Sequence, residues 1–326
     1  MSKTLGEETG KPNDSACFDV VVAGKTYLDL IFSDLPFPEP GTEVLAGNMT
    51  ISPGGAANRA VGAARLGARS ALLTNRGIDR ISASLFDSLH DVEHLDLTLC
   101  QTCGGYHNPV SAAISSQDDR SFITYDRPGP NLAWPSNART RTLFISLSDG
   151  LPEWTDPLHE QGTTIFGGVG WDASGRWSKQ VLEDAKHVDV LIMNETEARR
   201  YTGQESIQDA MKILLDNVET AVITLGSKGS MASNSNESIE IPAPSVTSVD
   251  PTGAGDIFAS GLMTAATWSW PLKHCLELAT VASSCSVQTP GGAVSAPNAT
   301  EILEFTHIHD REYDWSWIED HLGNTE

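Results

Sequence analysis

Basic residues are scarce in this chain: 21 Lys and Arg stand against 43 Asp and Glu over 326 residues, a formal net charge of −22. That balance argues against a nucleic-acid partner, because phosphate backbones are gripped by clustered Lys and Arg, and an anionic membrane surface is disfavoured for the same reason. Cysteine is sparse and odd in number, at Cys17, Cys100, Cys103, Cys275 and Cys285, so no disulfide framework is expected. Cys100-x-x-Cys103 with His107 nearby offers three metal ligands, yet no second half-site follows to complete a tetrahedral zinc set, and strand or loop thiols are the expectation. No apolar run reaches the length of a membrane span. The opening MSKTLGEETGKPNDSA also lacks the basic and apolar regions of a secretory signal. The expectation is a cytoplasmic, soluble chain with no membrane partner. A phosphorylated ligand would have to be held locally, by backbone N–H groups, a few placed side chains and a divalent cation.

What is present begins with FDVVVA at 18–23, apolar and β-branched without alternation, the pattern of a strand buried on both faces of a parallel sheet. Similar short runs recur at 70–74, 142–145, 163–166, 188–193 and 221–225, with helical stretches between several of them, such as 56–66 and 206–215. Strands alternating with helices predict an α/β fold, a doubly wound, mostly parallel sheet with helices on both faces and ligands beyond the carboxyl ends of the strands. The length allows one large α/β domain or two average ones. One domain over 18–305 is expected, with flexible tails at 1–16 and 323–326. Two segments break the rhythm: 36–52, rich in Pro and Gly, and 109–125, which reads as two strands around a polar turn. They predict a small discontinuous β lid that covers a substrate site and excludes water, a pair of surface hairpins being the alternative.

The sharpest local pattern is Asp250-Pro251-Thr252-Gly253-Ala254-Gly255-Asp256, followed by a helical run in which Phe258, Leu262 and Ala265 share a face. The first N–H groups of such a helix have no intrahelical partner, and Gly253, Ala254 and Gly255 are too small to block an approaching anion. Asp256, in the first turn beside this cradle, is placed to take a proton from a hydroxyl attacking a bound phosphoryl group. A tight turn with Asp favoured by the helix dipole is the bland alternative. The second pattern is Gly54-Gly55-Ala56-Ala57-Asn58, a glycine pair entering a helix rich in small residues. Asn58 offers a donor and an acceptor, suited to a polyhydroxylated ligand or to satisfying the helix start.

Together these segments resemble the ribokinase, or PfkB, family of carbohydrate kinases. Gly54, Gly55, Ala56, Asn58, Ala60, Gly67 and Gly77 fit one family signature, in the variant with one fewer residue before the asparagine. Asp250, Pro251, Gly253, Ala254, Gly255, Asp256, Ser260 and Gly261 fit the other, and the likeness runs over about 18–297. The resemblance implies a ribokinase-like fold and γ-phosphate transfer from ATP with Mg2+ to a hydroxyl of a sugar or sugar-like substrate. A nucleoside kinase of the same fold and a non-catalytic sugar sensor are the alternatives. It implies that Asp256 is the catalytic base and that Gly253 to Gly255 form the anion hole. Gly24-x-x-x-x-Asp29 matches the family's early substrate-binding aspartate, beside Gly54, Gly55 and Asn58. Asn194-x-x-Glu197 looks like the element that orients magnesium and phosphates, although the same residues spell a helix capping box. Thr224, Gly226, Ser227 and Gly229 resemble the nucleotide-binding turn, a plain β-turn being the competing view. Asp250 and Thr252, with carbonyls from 287–295, resemble the K+ site of some members. The lid is also a candidate homodimer surface. One departure concerns the acceptor: Asp172-Ala173-Ser174-Gly175-Arg176 keeps the charged ends of the Asp-x-Asn-x-Arg segment of many sugar kinases but has Ser for Asn. Lys25 and Arg59 adjoin the substrate residues without fixing a phosphorylated substrate. No G-x-G-x-x-G follows the first strand and no Walker A lysine motif occurs, which disfavours a dehydrogenase and a P-loop kinase.

Overall fold

The computed structural model describes residues 16–115, 120–172, 174–309 and 314–322. The expected tails, apart from the Ala16 backbone, lie outside the described residues, as do Ala173 and the tip of the second hairpin at 116–119. The apolar run near the start is the strand Ala16–Ala23, which sits inside a nine-stranded sheet. On one side it pairs in parallel with Ala138–Ser146, and beyond that follow Thr164–Gly168, Val190–Asn194 and Thr220–Thr224, all parallel. Two antiparallel strands, Ser230–Ser233 and Ser238–Ile241, close that edge, while Ser70–Leu73 and Leu95–Asp96 extend the other.

Both faces of the sheet are buried, which is why the strand sequences do not alternate. Val20 and Val22 point into one core, roofed by helices Ala56–Arg65, Arg80–His90, Ala254–Thr267 and Leu272–Ser286. Val21 and Ala23 point into the other, covered by helices that include Glu195–Thr202 and Ile207–Leu215. Among the described residues no helix is long and apolar enough to cross a membrane.

A separate four-stranded sheet has the order Asn48–Gly55, Thr26–Ser33, Val110–Ser115, Arg120–Tyr125. Its first half differs from the expected 36–52: residues 34–47 connect two strands, and Thr26–Ser33, directly after the core strand, supplies the centre. Only Gly24 and Lys25 separate it from Ala23, so no turn cluster marks where one sheet ends and the other begins. Register puts Asp29 opposite Ser52 and beside Ser111, which in turn faces Thr124 with the two hydroxyl oxygens 3.1 Å apart. That polar row lies on the face that looks toward the large sheet's helices. Alternation sends Leu30, Ile51 and Ile123 to the outer face.

Candidate active site

Two helix starts meet at the carboxyl ends of the strands. The first helix begins at Ala56, immediately after Gly55, whose φ of 64° and close approach to the Lys25 carbonyl and the Tyr27 ring exclude a side chain there. Ala56 N–H donates to Lys25 O at 2.8 Å, joining the helix to the turn before Thr26–Ser33. The second helix begins at Ala254 after Gly253, where φ is 77° and a Cβ would come 2.8 Å from Gly292 Cα. The helices press together where Gly62 faces Ser260, whose hydroxyl donates toward the carbonyls of Arg59 and Asp256, each at 2.9 Å.

This packing brings Asp256 onto the residues of the first helix. Its Oδ2 accepts from Asn58 Nδ2 at 2.7 Å, and its Oδ1 lies 2.7 Å from Arg59 Nη2. The Asn58 carboxamide lies between Gly253 and Gly292, and its buried Oδ1 has no hydrogen-bond partner among the described residues. Of the three cradle amides, Ala254 N–H turns back to Pro251 O at 3.2 Å, whereas those of Gly253 and Gly255 meet no acceptor among the described residues. No atom lies within 4 Å of the place where a Gly255 side chain would stand, so the approach to that helix start is open. The cradle therefore offers two unspent amides rather than the three expected.

Asp29 reaches over Gly54 so closely that any side chain on Gly54 would strike its carboxylate. Burial, aided by the charge of Asp256, pushes the Asp29 carboxyl up to about 7. Glu197 is also pushed up, first by burial and then by Asp256, while its bond from the Asn194 amide and the charge of Arg59 pull it back. Asp29, Glu197 and Asp256 thus share one electrostatic neighbourhood with Arg59 inside it. Asn194 and Glu197 form the complete capping box, Asn194 N–H donating to Glu197 Oε2 and Glu197 N–H to Asn194 Oδ1, both at 2.9 Å. The cap leaves Glu197 Oε1 free of hydrogen bonds from the described residues.

On the far side of the second helix start, Thr224, Gly226, Gly229, Gly255, Phe258 and Ser283 line a cavity of about 90 Å³. Gly226 and Gly229 have φ of 61° and 104°, and a side chain on Gly229 would run into Ile241 O. Ser227 is exposed and does not line this cavity. On the other side, a cavity of about 130 Å³ lies between Lys25, Tyr27, Gly55, Arg59 and Phe144. It shares Lys25, Tyr27, Ser146, Asp149 and Gly170 with a larger cavity of about 840 Å³ that also reaches Trp171 and Tyr201. Lys25 is tied down by Asp126 at 2.8 Å and Asp149 at 3.6 Å.

Other candidates play structural parts. Asp250 is buried and braces two loops, accepting from Thr252 N–H at 2.9 Å and Gly291 N–H at 3.0 Å. The Val287 carbonyl is taken up by the amides of Val249 and Asp250. Asp172 holds its own turn, accepting from Ser174 Oγ at 2.6 Å and from Trp177 N–H at 2.6 Å, so Ser174 serves the loop. Among the described residues no group of three or more His, Cys, Asp or Glu could hold a metal. Cys103 instead contacts Asn75 Oδ1 at 3.2 Å, and His107 pairs with Asp79 at 3.1 Å. Motif spacing did not single out Arg59 as a partner of Asp256, nor Phe144, whose ring lies against the Arg59 guanidinium.

A carboxylate at a glycine-lined helix start, with a small cavity on one side and a polar cleft on the other, is an arrangement suited to phosphoryl transfer to an alcohol. The pfkB family carbohydrate kinase profile matches residues 18–299, and the chain belongs to that family. It is 29% identical over 311 residues to a ribokinase of Haemophilus influenzae, covering 88% of this chain and 97% of that one. It is 27% identical over 300 residues to a nucleoside kinase of Methanocaldococcus jannaschii, covering 89% and 97%. The structure of Arabidopsis thaliana ribokinase complexed with ribose and ATP superposes with a TM-score of 0.72 at 22% identity, covering 89% of this chain and 98% of that one.

Proposed function

We propose that this kinase transfers the γ-phosphate of ATP to a hydroxyl of a sugar or sugar-like acceptor, with Asp256 as general base. The observation that carries the reading is the placement of Asp256: its carboxylate is fixed by Asn58 and Arg59 in the turn that also presents the unspent amides of Gly253 and Gly255. A carboxylate has about four lone-pair directions, and the two bonds it accepts leave room for an acceptor hydroxyl. Asp29 and Asn58 hold the acceptor. As the hydroxyl oxygen bonds to phosphorus, its proton passes to Asp256, and the bond to the β-phosphate oxygen breaks to release ADP. The amides of Gly253 and Gly255 receive the charge that spreads over the phosphoryl oxygens.

Thr224, Gly226 and Gly229 border the nucleotide, while Ser227 can contribute only from the exposed outside of that turn. Magnesium fits Glu197, since the ion keeps several waters and needs few protein ligands, and one carboxylate oxygen is left over by the capping box. Bound there, it would neutralise phosphate charge. A K+ beside Asp250 and Thr252 would serve the loop rather than the reaction, because that carboxylate already braces the backbone on both oxygens. The small sheet is proposed as a lid over the acceptor and, by its outer face, as a homodimer surface.

A nucleoside acceptor is the second reading. It is favoured by the Tyr27 ring beside Gly55 and by the continuation of the acceptor cleft into the 840 Å³ cavity bordered by Trp171, where an aromatic base would find both room and a stacking face. A screen of pentoses, hexoses, keto-deoxy sugar acids and nucleosides with Mg-ATP separates the two. Asp256→Asn is expected to fold and bind nucleotide while turnover falls by about 10²- to 10⁴-fold; a fully active variant refutes the base assignment.

A further inference from the structure

Arg59 follows Asn58 on the same helix and lies against the same carboxylate, its Nη2 2.7 Å from Asp256 Oδ1. Phe144 supports the guanidinium from the other side, with its ring centroid 4.1 Å from Cζ. The side chain is only 19% exposed. A guanidinium has five N–H donors in a fixed fork, and here the Nε donor is buried with no hydrogen-bond partner among the described residues. An unpaired buried donor is unfavourable, so a site that keeps one is suited to an acceptor that arrives later. Arg59 also borders the acceptor-side cavity with Gly55, Ser146 and Gly168, and its charge is felt by Glu197.

We propose that Arg59 is a second catalytic residue: its guanidinium, docked on Asp256 in the substrate-free protein, donates to the equatorial oxygens of the phosphoryl group as that group passes to the acceptor. The inference rests on Asp256 being the base. A base must lie within hydrogen-bond reach of the attacking oxygen, and that oxygen is bonding to phosphorus, so a donor already on the base stands in the neighbourhood of the phosphoryl oxygens. Arg suits this better than Lys, because its planar fork can hold a carboxylate oxygen and a phosphoryl oxygen together. The amides of Gly253 and Gly255 would meet the same group from the second helix start. Arg59 stays protonated throughout; the bonds made and broken are those of the acceptor, phosphorus and ADP. Its role also answers the electrostatics: three carboxylates, at Asp29, Glu197 and Asp256, would otherwise face the incoming triphosphate.

The test compares Arg59→Met, Arg59→Ala and Arg59→Lys with the unaltered chain. Binding of Mg-ADP alone is measured beside binding of Mg-ADP with aluminium fluoride, which mimics the phosphoryl group in transit. Turnover is followed with the acceptor found in the screen. For Arg59→Met, ADP affinity and melting temperature are expected to hold, the aluminium fluoride complex to weaken at least tenfold, and turnover to fall by about 10³-fold. Added ethylguanidinium should restore part of the turnover of Arg59→Ala, which a helix-bracing role would not allow. Turnover and aluminium fluoride binding that stay within a few-fold of the unaltered chain, or losses explained by a lowered melting temperature without rescue, overturn the proposal. Failure of the underlying reading looks different: Asp256→Asn would then remain active, whatever Arg59→Met does.

Discussion

Asn58 Nδ2 and Asp256 Oδ2 are joined by a 2.7 Å hydrogen bond although 198 positions separate them. The contact exists because small residues let two helix starts approach: Gly62 opens the first helix to Ser260, and Gly253 and Gly292 leave a slot that only the flat Asn58 amide fills. The turns proposed to bind the acceptor and the phosphate are therefore braced against each other. If Asp256 is the base, as proposed, it can meet a hydroxyl without first searching for its orientation.

Gly253 and Gly255 should respond differently to the same methyl group. At Gly253, alanine meets a left-handed φ of 77° and the Gly292 backbone at 2.8 Å, so Gly253→Ala is expected to lose about 1–3 kcal/mol of stability together with activity. At Gly255 the methyl enters open space inside a helix, where alanine is the better helix former. Gly255→Ala should keep or raise its melting temperature yet bind ATP more weakly, because the methyl occupies the anion's path. Thermal melts paired with nucleotide titrations check both.

Asp29 makes pH a probe of the proposed acceptor site. Its folded pKa of about 7 lies above the ordinary 3.8, so between those values the folded chain holds a proton that the unfolded chain has released. Stability from this group is complete at low pH and is lost as pH rises through about 7. Asp29→Asn removes that slope, so its melting temperature relative to the unaltered chain should climb as pH rises from about 4 to about 8. Function runs the other way, since the charged form accepts hydroxyl hydrogen bonds more strongly. Acceptor affinity should fall on acidification below about 7, and this acid limb should be missing from Asp29→Asn. A mutant that keeps the limb refutes the assignment.

Much of the fold was open to reading from the chain alone, because burial on both faces leaves unbroken apolar runs. The run at 221–225 is the strand Thr220–Thr224, and the periodic stretch 206–215 is the helix Ile207–Leu215 with Ser206 as its cap. The small sheet was harder. Thr26–Ser33 does not alternate, since Tyr27-Leu28 and Leu30-Ile31-Phe32 are apolar in succession, and without a turn cluster before it its pattern merges with the core strand. Within the site, glycine turns and carboxylates announce themselves by spacing. The direction of Arg59 does not, since it depends on Phe144 from a distant strand and on a helix start nearly two hundred positions away.

Glu197 carries a prediction that separates its two parts. Gln at this position can still complete the capping box with Asn194, so Glu197→Gln should leave the Glu195–Thr202 helix intact. The lost charge should raise the magnesium concentration needed for half-maximal turnover several-fold, with saturating magnesium restoring most of the rate. Initial rates across a magnesium series, beside a thermal melt, decide the matter. An unchanged magnesium requirement would leave only the cap.

The outer face of the small sheet bears on assembly. Met49, Ile51 and Ile123 are 52%, 52% and 68% exposed, and they lie on the two edge strands of the sheet, whose register sets Ile51 and Ile123 in one row across Leu30 and Ala112. A sheet with one apolar face in water is normally covered, and a second copy offers a face of matching chemistry related by two-fold symmetry. Because Asp29 sits on the inner face of the same strand as Leu30, covering the outer face would also stiffen the acceptor site. Ile51→Asp with Ile123→Asp should therefore convert a dimer to a monomer by sedimentation and raise the acceptor KM, while ATP affinity, set on the large sheet, is retained. A chain that sediments as a monomer before any substitution rules the dimer out and leaves the small sheet with its proposed lid role alone.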